Sequence, residues 1–452
     1  MKRILITLAT LLLLAPVAAQ VDSQALARLM RINEQLTIVN ELDEKGTYLQ
    51  KAEAYLALSD LLKDYQDEQE RELYVIARLS AAHNYHMDRQ HEEEAFQLAD
   101  ALMKEEHLTE KERRRAQSTY AACGLSLGMK LMNREVKQYE RARELFGLIT
   151  PYASDKLMGF VNRNLPRSWQ FEGIDRLLAF DLEAAYNCFE QANKGYLANG
   201  DTTDVVKMYE QMATCRRYMC DYTSALRILD QAYDVAASAD NHALMMDMRL
   251  EQRAIFRALC DRRSMALVDE EIDRLVSSDE TLLVAYYTWL GDDAKDMGNT
   301  SLSESYYLKA IQLNPQTTQS ERTGVVLVYN SLRDAMEKAG EYDKALGYEE
   351  QRYALAKQSN YRYTDYDHYY YLSNLYCDAA RYEEAIACAD SALSALENLE
   401  GTTEQMSHAY ISRAMALSAM ERYADALADL DRAYAVMGVP ILPRRRTIGW
   451  TS

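Results

Sequence analysis

Three histidines lie close together in the first quarter of the chain. His83 and His86 are three residues apart, a spacing that places both on one face of a helix, and His91 follows. Imidazole binds metals readily, but a metal site needs a third and a fourth ligand in a closed geometry. The sequence offers no obvious partner nearby. We therefore interpret the histidines as a polar patch near a helix end and predict no metal.

Cysteine is the second residue type that could carry chemistry, and the chain has seven. Cys215 and Cys220 are five residues apart, so a helix would point their side chains in different directions. The cysteines are scattered through helical patterns and do not cluster in loops. We expect small buried core residues, with a disulfide framework as the alternative.

The known catalytic patterns are missing from the sequence. There is no glycine-rich phosphate loop, no metalloprotease histidine pair with its glutamate, and no Cys-x-x-Cys pair. No set of titratable residues has a spacing suited to acid–base or nucleophilic work. We therefore predict that the chain is not an enzyme and needs no cofactor.

Composition points to long helices joined by short connections. The chain has 452 residues, of which 48% are apolar, and only 6 are proline and 16 glycine. Sandwiches and barrels need more frequent turns than this supply allows. The formal charge of −19 argues against nucleic acid and anionic membrane surfaces as partners.

The first 19 residues have the pattern of a secretory signal peptide. Lys2 and Arg3 precede an almost wholly apolar stretch, and the small residues Ala18 and Ala19 suit cleavage near Ala19. No later stretch is apolar for long enough to span a membrane, so we predict no transmembrane segment. We expect a periplasmic or extracellular protein.

Helical spacing continues through nearly all of the remaining chain, and it repeats in pairs. The clearest pair has a first helix, helix A, with Tyr369, Leu372, Ser373 and Tyr376. A turn near Ala380 follows, and then a second helix, helix B, with Tyr382, Ala385, Ala389 and Ala392. Small residues allow two antiparallel helices to approach closely, and large aromatic residues fill the gap between neighbouring pairs.

This layout resembles the tetratricopeptide repeat, with a large aromatic early in helix A, small residues at fixed places and an aromatic at the start of helix B. The resemblance implies an all-α fold, an α-α superhelix or solenoid of about nine antiparallel helical hairpins. One small helix B residue marks each unit, and the seven are Ala185, Ala225, Ala266, Ser303, Ala345, Ala385 and Ala426.

The period is about 40 residues, longer than the roughly 34 of the family. The extra residues lie between hairpins, for instance at 197–204 and 358–364, either as long loops or as lengthened helices. Two arginines, Arg333 and Arg352, stand where small residues are expected, and Ala254 with Ala266 marks a degenerate unit.

We divide the chain into a signal peptide at 1–19, degenerate helical repeats at 20–164, a clear repeat array at 165–437 and an irregular tail at 438–452. The best candidate for a joint lies at 154–168. A polar capping helix is expected after the last hairpin but does not follow. Either the tail folds back, or a partner covers that end, or the chain is a truncated form of something longer.

In the repeat family, helix A residues at fixed steps after the early aromatic line a concave groove that binds the partner. Carried over to this chain, the groove residues are Thr288, Asp292, Lys295 and Asp296 in one unit, Asn330, Asp334, Glu337 and Lys338 in the next, and Tyr370, Asn374, Cys377 and Asp378 in a third. Acids dominate, so we do not predict the family's clamp for a peptide carboxylate. The groove would suit a basic or polar peptide segment, or a sugar stacking on Tyr370; alternatively, the acids are simply solvated.

The function that fits best is a non-catalytic scaffold that binds a protein or peptide partner in this groove. The alternative is the ligand-sensing repeat region of an envelope signalling regulator, without its output domain. An enzyme with an unrecognised site is the third and weakest interpretation.

Overall fold

The computed structural model describes residues 23–133, 136–314, 316, 318–358, 361–397, 399 and 401–438. The predicted signal peptide at 1–19 and the predicted tail beyond Gly438 lie outside the described residues. Within the described part of the chain there are twenty α-helices and no strand, so the all-α fold class is confirmed.

The chain divides into two compact units, Met1–Glu270 and Glu271–Ser452, which we call unit 1 and unit 2. The helices of unit 1 are α1 Ser23–Lys45, α2 Tyr48–Leu61, α3 Glu68–Asp88, α4 Glu92–Met103, α5 Glu110–Leu131, α6 Tyr139–Ile149, α7 Asp155–Leu178, α8 Leu182–Asn199, α9 Thr202–Tyr218, α10 Tyr222–Ser238 and α11 His242–Ala258. Helix α12, Arg262–Ser278, contains the division. Unit 2 has α13 Leu283–Asp296, α14 Thr300–Leu313, α15 Gln319–Lys338, α16 Tyr342–Ala356, α17 Thr364–Asp378, α18 Tyr382–Leu396, α19 Thr403–Ala419 and α20 Tyr423–Val436.

Within each unit, consecutive helices pack against each other as antiparallel hairpins, which gives the predicted repeat solenoid. A tight turn joins helix A to helix B, and one residue in it takes a left-handed conformation. At Ala380 φ is +56°, and the amide of Arg381 donates a 2.8 Å hydrogen bond to the carbonyl of Tyr376. This closure satisfies the last carbonyls of helix A. The predicted turn near Ala380 is therefore confirmed.

The small residues of helix A fall where the two helices of a hairpin touch. A Cβ added to Gly291 would lie 2.6 Å from the ring of Tyr307 on the paired helix α14. At the equivalent position in α17, the hydroxyl of Ser373 donates a 2.9 Å hydrogen bond to the carbonyl of Ala385. Six of the seven marker residues of helix B are buried.

The seventh marker, Ala266, is exposed, and its assignment was wrong by one residue. Counted from the helix caps, the small-residue positions of this unit are Arg253 in α11 and Met265 in α12, not Ala254 and Ala266. A one-residue shift turns a side chain by about 100° around the helix axis. The unit is degenerate because its packing positions hold an arginine and a methionine.

Both explanations of the long period occur. Residues 197–204 are almost wholly helical, because only Gly200 and Asp201 separate α8 from α9. In unit 2, residues 357, 358 and 361–363 lie outside helices α16 and α17. Helix α7 runs unbroken through the predicted boundary at 164/165 and contains Pro166, whereas the division into compact units falls at Glu270.

Five of the seven cysteines are at least partly buried, as expected, and all seven are free thiols. The expectation was wrong for Cys220 and Cys260, which are exposed. Both take the left-handed position of the turn between helix A and helix B, with φ of +61° and +57°. Among the described helices none is both long and apolar enough to cross a membrane.

Candidate functional site

The predicted groove residues lie on three helices A of unit 2, namely α13, α15 and α17. On each helix the predicted positions follow one another at steps of one, three or four residues and together cover an arc of about 100° on one side of the helix. We call the surface formed by these residues the helix A face. Its use as a binding surface stays a prediction, but its geometry can be described residue by residue.

On α13 the charges of the helix A face are largely satisfied within the protein. The carboxylate of Asp292 accepts hydrogen bonds from Nζ of Lys295 at 3.0 Å and from the hydroxyl of Tyr307 at 2.6 Å. The hydroxyl of Thr288 donates to the carbonyl of Val284, and Asp296 is exposed. This part of the face therefore offers a partner little unpaired charge.

Three acids of α15 and α17 come together on the helix A face. Burial raises the pKa of Glu337 to about 7, and a hydrogen bond with Asp378 and the charge of Asp334 add to the shift. Like charges at close range disfavour simultaneous ionisation. We call Asp334, Glu337 and Asp378 the acidic cluster. The carboxylate of Asp334 accepts a 2.7 Å hydrogen bond from Nη2 of Arg333, and Lys338 is exposed.

Two further predicted groove residues on α17 already have partners on the protein. The amide oxygen of Asn374 accepts a 2.7 Å hydrogen bond from Ser412 on α19. The ring of Tyr370 is stacked 5.7 Å from that of Tyr366 and 6.1 Å from the imidazole of His408. These contacts leave less of the Tyr370 ring for a stacked sugar.

A buried charge cluster of Arg333, Glu349, Arg352 and His368 lies beside this face. The side chain of Glu349 is fully buried, and its two carboxylate oxygens accept 2.7 Å hydrogen bonds from Nε and Nη2 of Arg352. Arg333 donates to the same carboxylate at 3.1 Å, and Nδ1 of His368 lies 3.0 Å from it.

Burial and pairing act in opposite directions on the carboxyl of Glu349. Burial alone raises its pKa, but the hydrogen bonds from His368 and Arg352 and the charge of Arg333 outweigh burial. The pKa is therefore held below its usual value, and the group stays ionised. A buried carboxylate is tolerated when its lone pairs are satisfied in this way.

The sequence did contain a signal for this cluster. Arg333 and Arg352 occupy positions that hold small residues in most of the other repeats, so each needs an acid within reach in the packed hairpin. Glu349 lies one helical turn before Arg352, a spacing that brings the two side chains together. The repeat pattern marks the two arginines as departures, but it does not identify the acid that pairs with them.

A cavity of about 420 Å³ opens between the N-terminal half of α15, the end of α16 and the start of α17. The residues that matter for its chemistry are Arg322, Val326, Arg352, Leu355, Asp367 and Tyr371. Asn330 is the single predicted groove residue in its wall. Small-molecule sites usually have volumes of roughly 300–1,000 Å³, so the cavity is at the lower end of that range.

Two titratable groups in the cavity wall are shifted by their surroundings. Burial raises the pKa of Asp367 to about 6, although the charges of Arg352 and Arg333 oppose the shift. Burial also raises the pKa of the Tyr371 phenol. The Tyr371 ring lies 3.8 Å from the guanidinium carbon of Arg333, a cation–π arrangement that helps to hold the cluster.

The metal interpretation of the histidines finds no support in the geometry. Among the described residues no three histidine, cysteine, aspartate or glutamate side chains converge as metal ligands would. Nδ1 of His91 instead lies 2.7 Å from the carboxylate of Asp88.

Neither a protein-family model nor a curated protein matches this sequence. Several solved structures resemble the chain at low identity. The aspartyl phosphate phosphatase F of Bacillus subtilis is 12% identical, with 94% of this chain and 99% of that chain covered and a TM-score of 0.39. The apo form of the quorum sensor NprR from B. thuringiensis is 13% identical, with 90% of this chain and 97% of that chain covered and a TM-score of 0.36. Yeast Tom70 is 11% identical, with 89% of this chain and 85% of that chain covered and a TM-score of 0.39. These scores are below 0.5, and we draw nothing about function from them.

Proposed function

We propose that this chain is a non-catalytic binding module that holds a protein or peptide partner on the helix A face of unit 2. The observation that carries the proposal is the acidic cluster. Helices α15 and α17 bring Glu337 and Asp378 within hydrogen-bonding distance, and Asp334 lies on the same side of α15. A protein keeps acids in mutual contact at a cost, and a cationic partner would relieve that cost.

The chemistry of the cluster suggests the kind of partner. Lysine or arginine side chains of an extended or helical segment would pair with the carboxylates, so we propose a basic segment. Repeat solenoids present extended surfaces that suit such segments. Complementary charge mainly increases the association rate and the specificity.

We also propose that the partner is met outside the cytoplasm. The support is the sequence at the start of the chain, where Lys2, Arg3 and the following apolar stretch have the pattern of an export signal. The binding surface then works in the periplasm or the extracellular space.

The test begins with an affinity pull-down from the native cell envelope, with the chain lacking residues 1–19 as bait. The affinity of the recovered partner is then measured for a triple variant, Asp334→Asn, Glu337→Gln and Asp378→Asn, over a range of ionic strength. We expect the affinity to fall by about tenfold or more and the salt dependence to become shallower.

A matched control carries the same change of formal charge on helices B. Asp343→Asn, Glu350→Gln and Glu383→Gln alter three exposed acids of α16 and α18. The control should bind as the unmodified chain does. If the triple variant of the acidic cluster kept the original affinity and salt dependence, the proposed binding surface would be wrong.

A further inference from the structure

The cavity between α15, α16 and α17 is separate in its chemistry from the acidic cluster. Its wall carries fixed charge of both signs, from Arg322 and Arg352 on one hand and Asp367 on the other. Val326 and Leu355 add apolar surface. A concave site with apolar walls and a few convergent polar groups has the general composition of a small-molecule site.

Arg352 is held rigidly and still has hydrogen-bonding capacity. Its side chain is 5% exposed, and Nε and Nη2 are fixed by the carboxylate of Glu349. The third nitrogen, Nη1, has no hydrogen-bond partner among the described residues. A guanidinium that is fixed by its other nitrogens is preorganised to bind a carboxylate, because little side-chain entropy is lost on binding.

Asp367 supplies the opposite charge. Its carboxylate is half-buried in the cavity wall, and no donor of the described part of the chain forms a hydrogen bond with it. Asp367 and Arg352 line the same cavity, so one small ligand can contact both side chains. An ammonium group would satisfy this carboxylate.

We propose that the cavity binds a small zwitterion of the α-amino acid type, with its carboxylate at Arg352, its ammonium at Asp367 and its side chain against Val326 and Leu355. The zwitterion satisfies both fixed charges at once. A simple anion meets repulsion from Asp367, and a simple cation meets repulsion from the two arginines. The proposed ligand contacts are made by residues outside the acidic cluster, and Asn330 alone belongs both to the cavity wall and to the helix A face.

The experiment uses the full chain and isothermal titration with the standard L-amino acids. Saturable one-to-one binding of at least one of them is expected. For phenylalanine the comparison ligands are phenethylamine, which lacks the carboxylate, and 3-phenylpropionate, which lacks the ammonium. If a different amino acid binds most tightly, the comparison ligands are the amine and the carboxylic acid that carry its side chain. Each single-charge analogue should bind about tenfold more weakly or worse, since a charge-assisted hydrogen bond is lost and a buried charge is left unpaired.

The variant Asp367→Asn tests the ammonium site. It removes a half-buried charge that makes no hydrogen bond, so the fold should be retained, as thermal unfolding by circular dichroism will check. The variant should bind the zwitterion about tenfold more weakly, and it should no longer prefer the zwitterion to the analogue that lacks the ammonium group. Asp343→Asn, an exposed change on α16 outside both the cavity and the acidic cluster, should leave amino acid binding unchanged.

Three results would overturn the proposal. One is that no standard amino acid binds saturably at millimolar concentration. Another is that the analogues lacking one charge bind as well as the zwitterion. The third is that Asp367→Asn binds as the unmodified chain does. Loss of partner binding in the triple variant of the acidic cluster has no bearing on any of these outcomes.

Discussion

Arg333 on α15 donates a 3.1 Å hydrogen bond to Glu349 on α16, sixteen residues later in the sequence, and both side chains are buried. The same separation joins Arg253 to Asp269 and Arg413 to Asp429, in each case from helix A to helix B of one hairpin. In each of these three hairpins an ion pair spans the two helices, and in the last one it lies beside the buried small residues Ala414 and Ala426.

The buried pairing predicts a large effect at Glu349. Glu349→Ala leaves Arg352 buried without its counter-charge and Arg333 with Asp334 as its remaining acid, and we expect the free energy of unfolding to fall by about 3–5 kcal/mol. Urea unfolding followed by circular dichroism measures this change. Glu350→Ala, at an adjacent and mostly exposed position, should change it by less than about 0.5 kcal/mol. Equal effects of the two changes would show that the cluster does not stabilise unit 2.

Close packing predicts opposite effects for two helical glycines. Gly291→Ala forces a methyl group against the ring of Tyr307, at 2.6 Å, and should lower the free energy of unfolding by about 1–3 kcal/mol. Gly347→Ala meets nothing within 4 Å, and it should raise stability by about 0.5–1 kcal/mol, because alanine favours the helix. Thermal unfolding of both variants checks the prediction. Destabilisation by Gly347→Ala would contradict the packing described for α16.

The raised pKa of Asp367 predicts a pH dependence of stability. The carboxyl titrates near 6 in the folded protein and near 3.8 when unfolded, so its favourable contribution is complete below about pH 4 and is lost as the pH rises through 6. At pH 8, Asp367→Asn should therefore raise the free energy of unfolding by about 1 kcal/mol, after allowance for solvent screening. At pH 4 the variant and the unmodified chain should have similar stabilities.

Urea unfolding at several pH values measures this difference. Asp343→Asn, an exposed change on α16, is the control and should follow the unmodified chain throughout. A gain in stability that is the same at pH 4 and pH 8 would mean that the effect of Asp367→Asn does not come from titration.

The raised pKa of Glu337 predicts proton release on binding. Near pH 7 the carboxyl is partly protonated, and a cationic ligand favours the ionised form, so binding expels a proton. Titration of a short lysine-rich peptide in two buffers with different ionisation enthalpies should give different heats. The difference between the heats in the two buffers should be smaller for the Glu337→Gln variant. Equal heats in both buffers for the unmodified chain would contradict the prediction.

The export proposal predicts a processed N-terminus. Expression of the whole chain in a bacterium should yield a protein whose intact mass lacks about the first 19 residues, found in the periplasmic or extracellular fraction. Replacement of Lys2 and Arg3 by Glu should reduce export, since the positive start of the signal is lost. A cytoplasmic product that retains Lys2 would show the proposal to be wrong.

The hairpins could be predicted because their determinants are local. A turn needs a residue that tolerates the left-handed conformation, and two helices in contact need a small residue at a fixed distance from that turn. Ser373, Ala380 and Ala385 provide this within one stretch of chain, and the structure has the hairpin where they place it. In the degenerate unit this prediction fails, because Ala254 and Ala266 each lie one residue after the true packing positions and match the small-residue pattern by chance.

The cavity, the contact between Glu337 and Asp378 and the pairing of the buried charges were decided by the tertiary structure. Each depends on side chains from different helices whose separation in space is set by how the hairpins stack. Periodicity places Arg333 and Arg352 at inward positions, but it does not predict that both donate hydrogen bonds to Glu349. Nor does it predict the cavity beside Asp367 between α15 and α17. Helix spacing along one chain segment is fixed by backbone hydrogen bonds, whereas the gap between hairpins is the sum of many side-chain contacts.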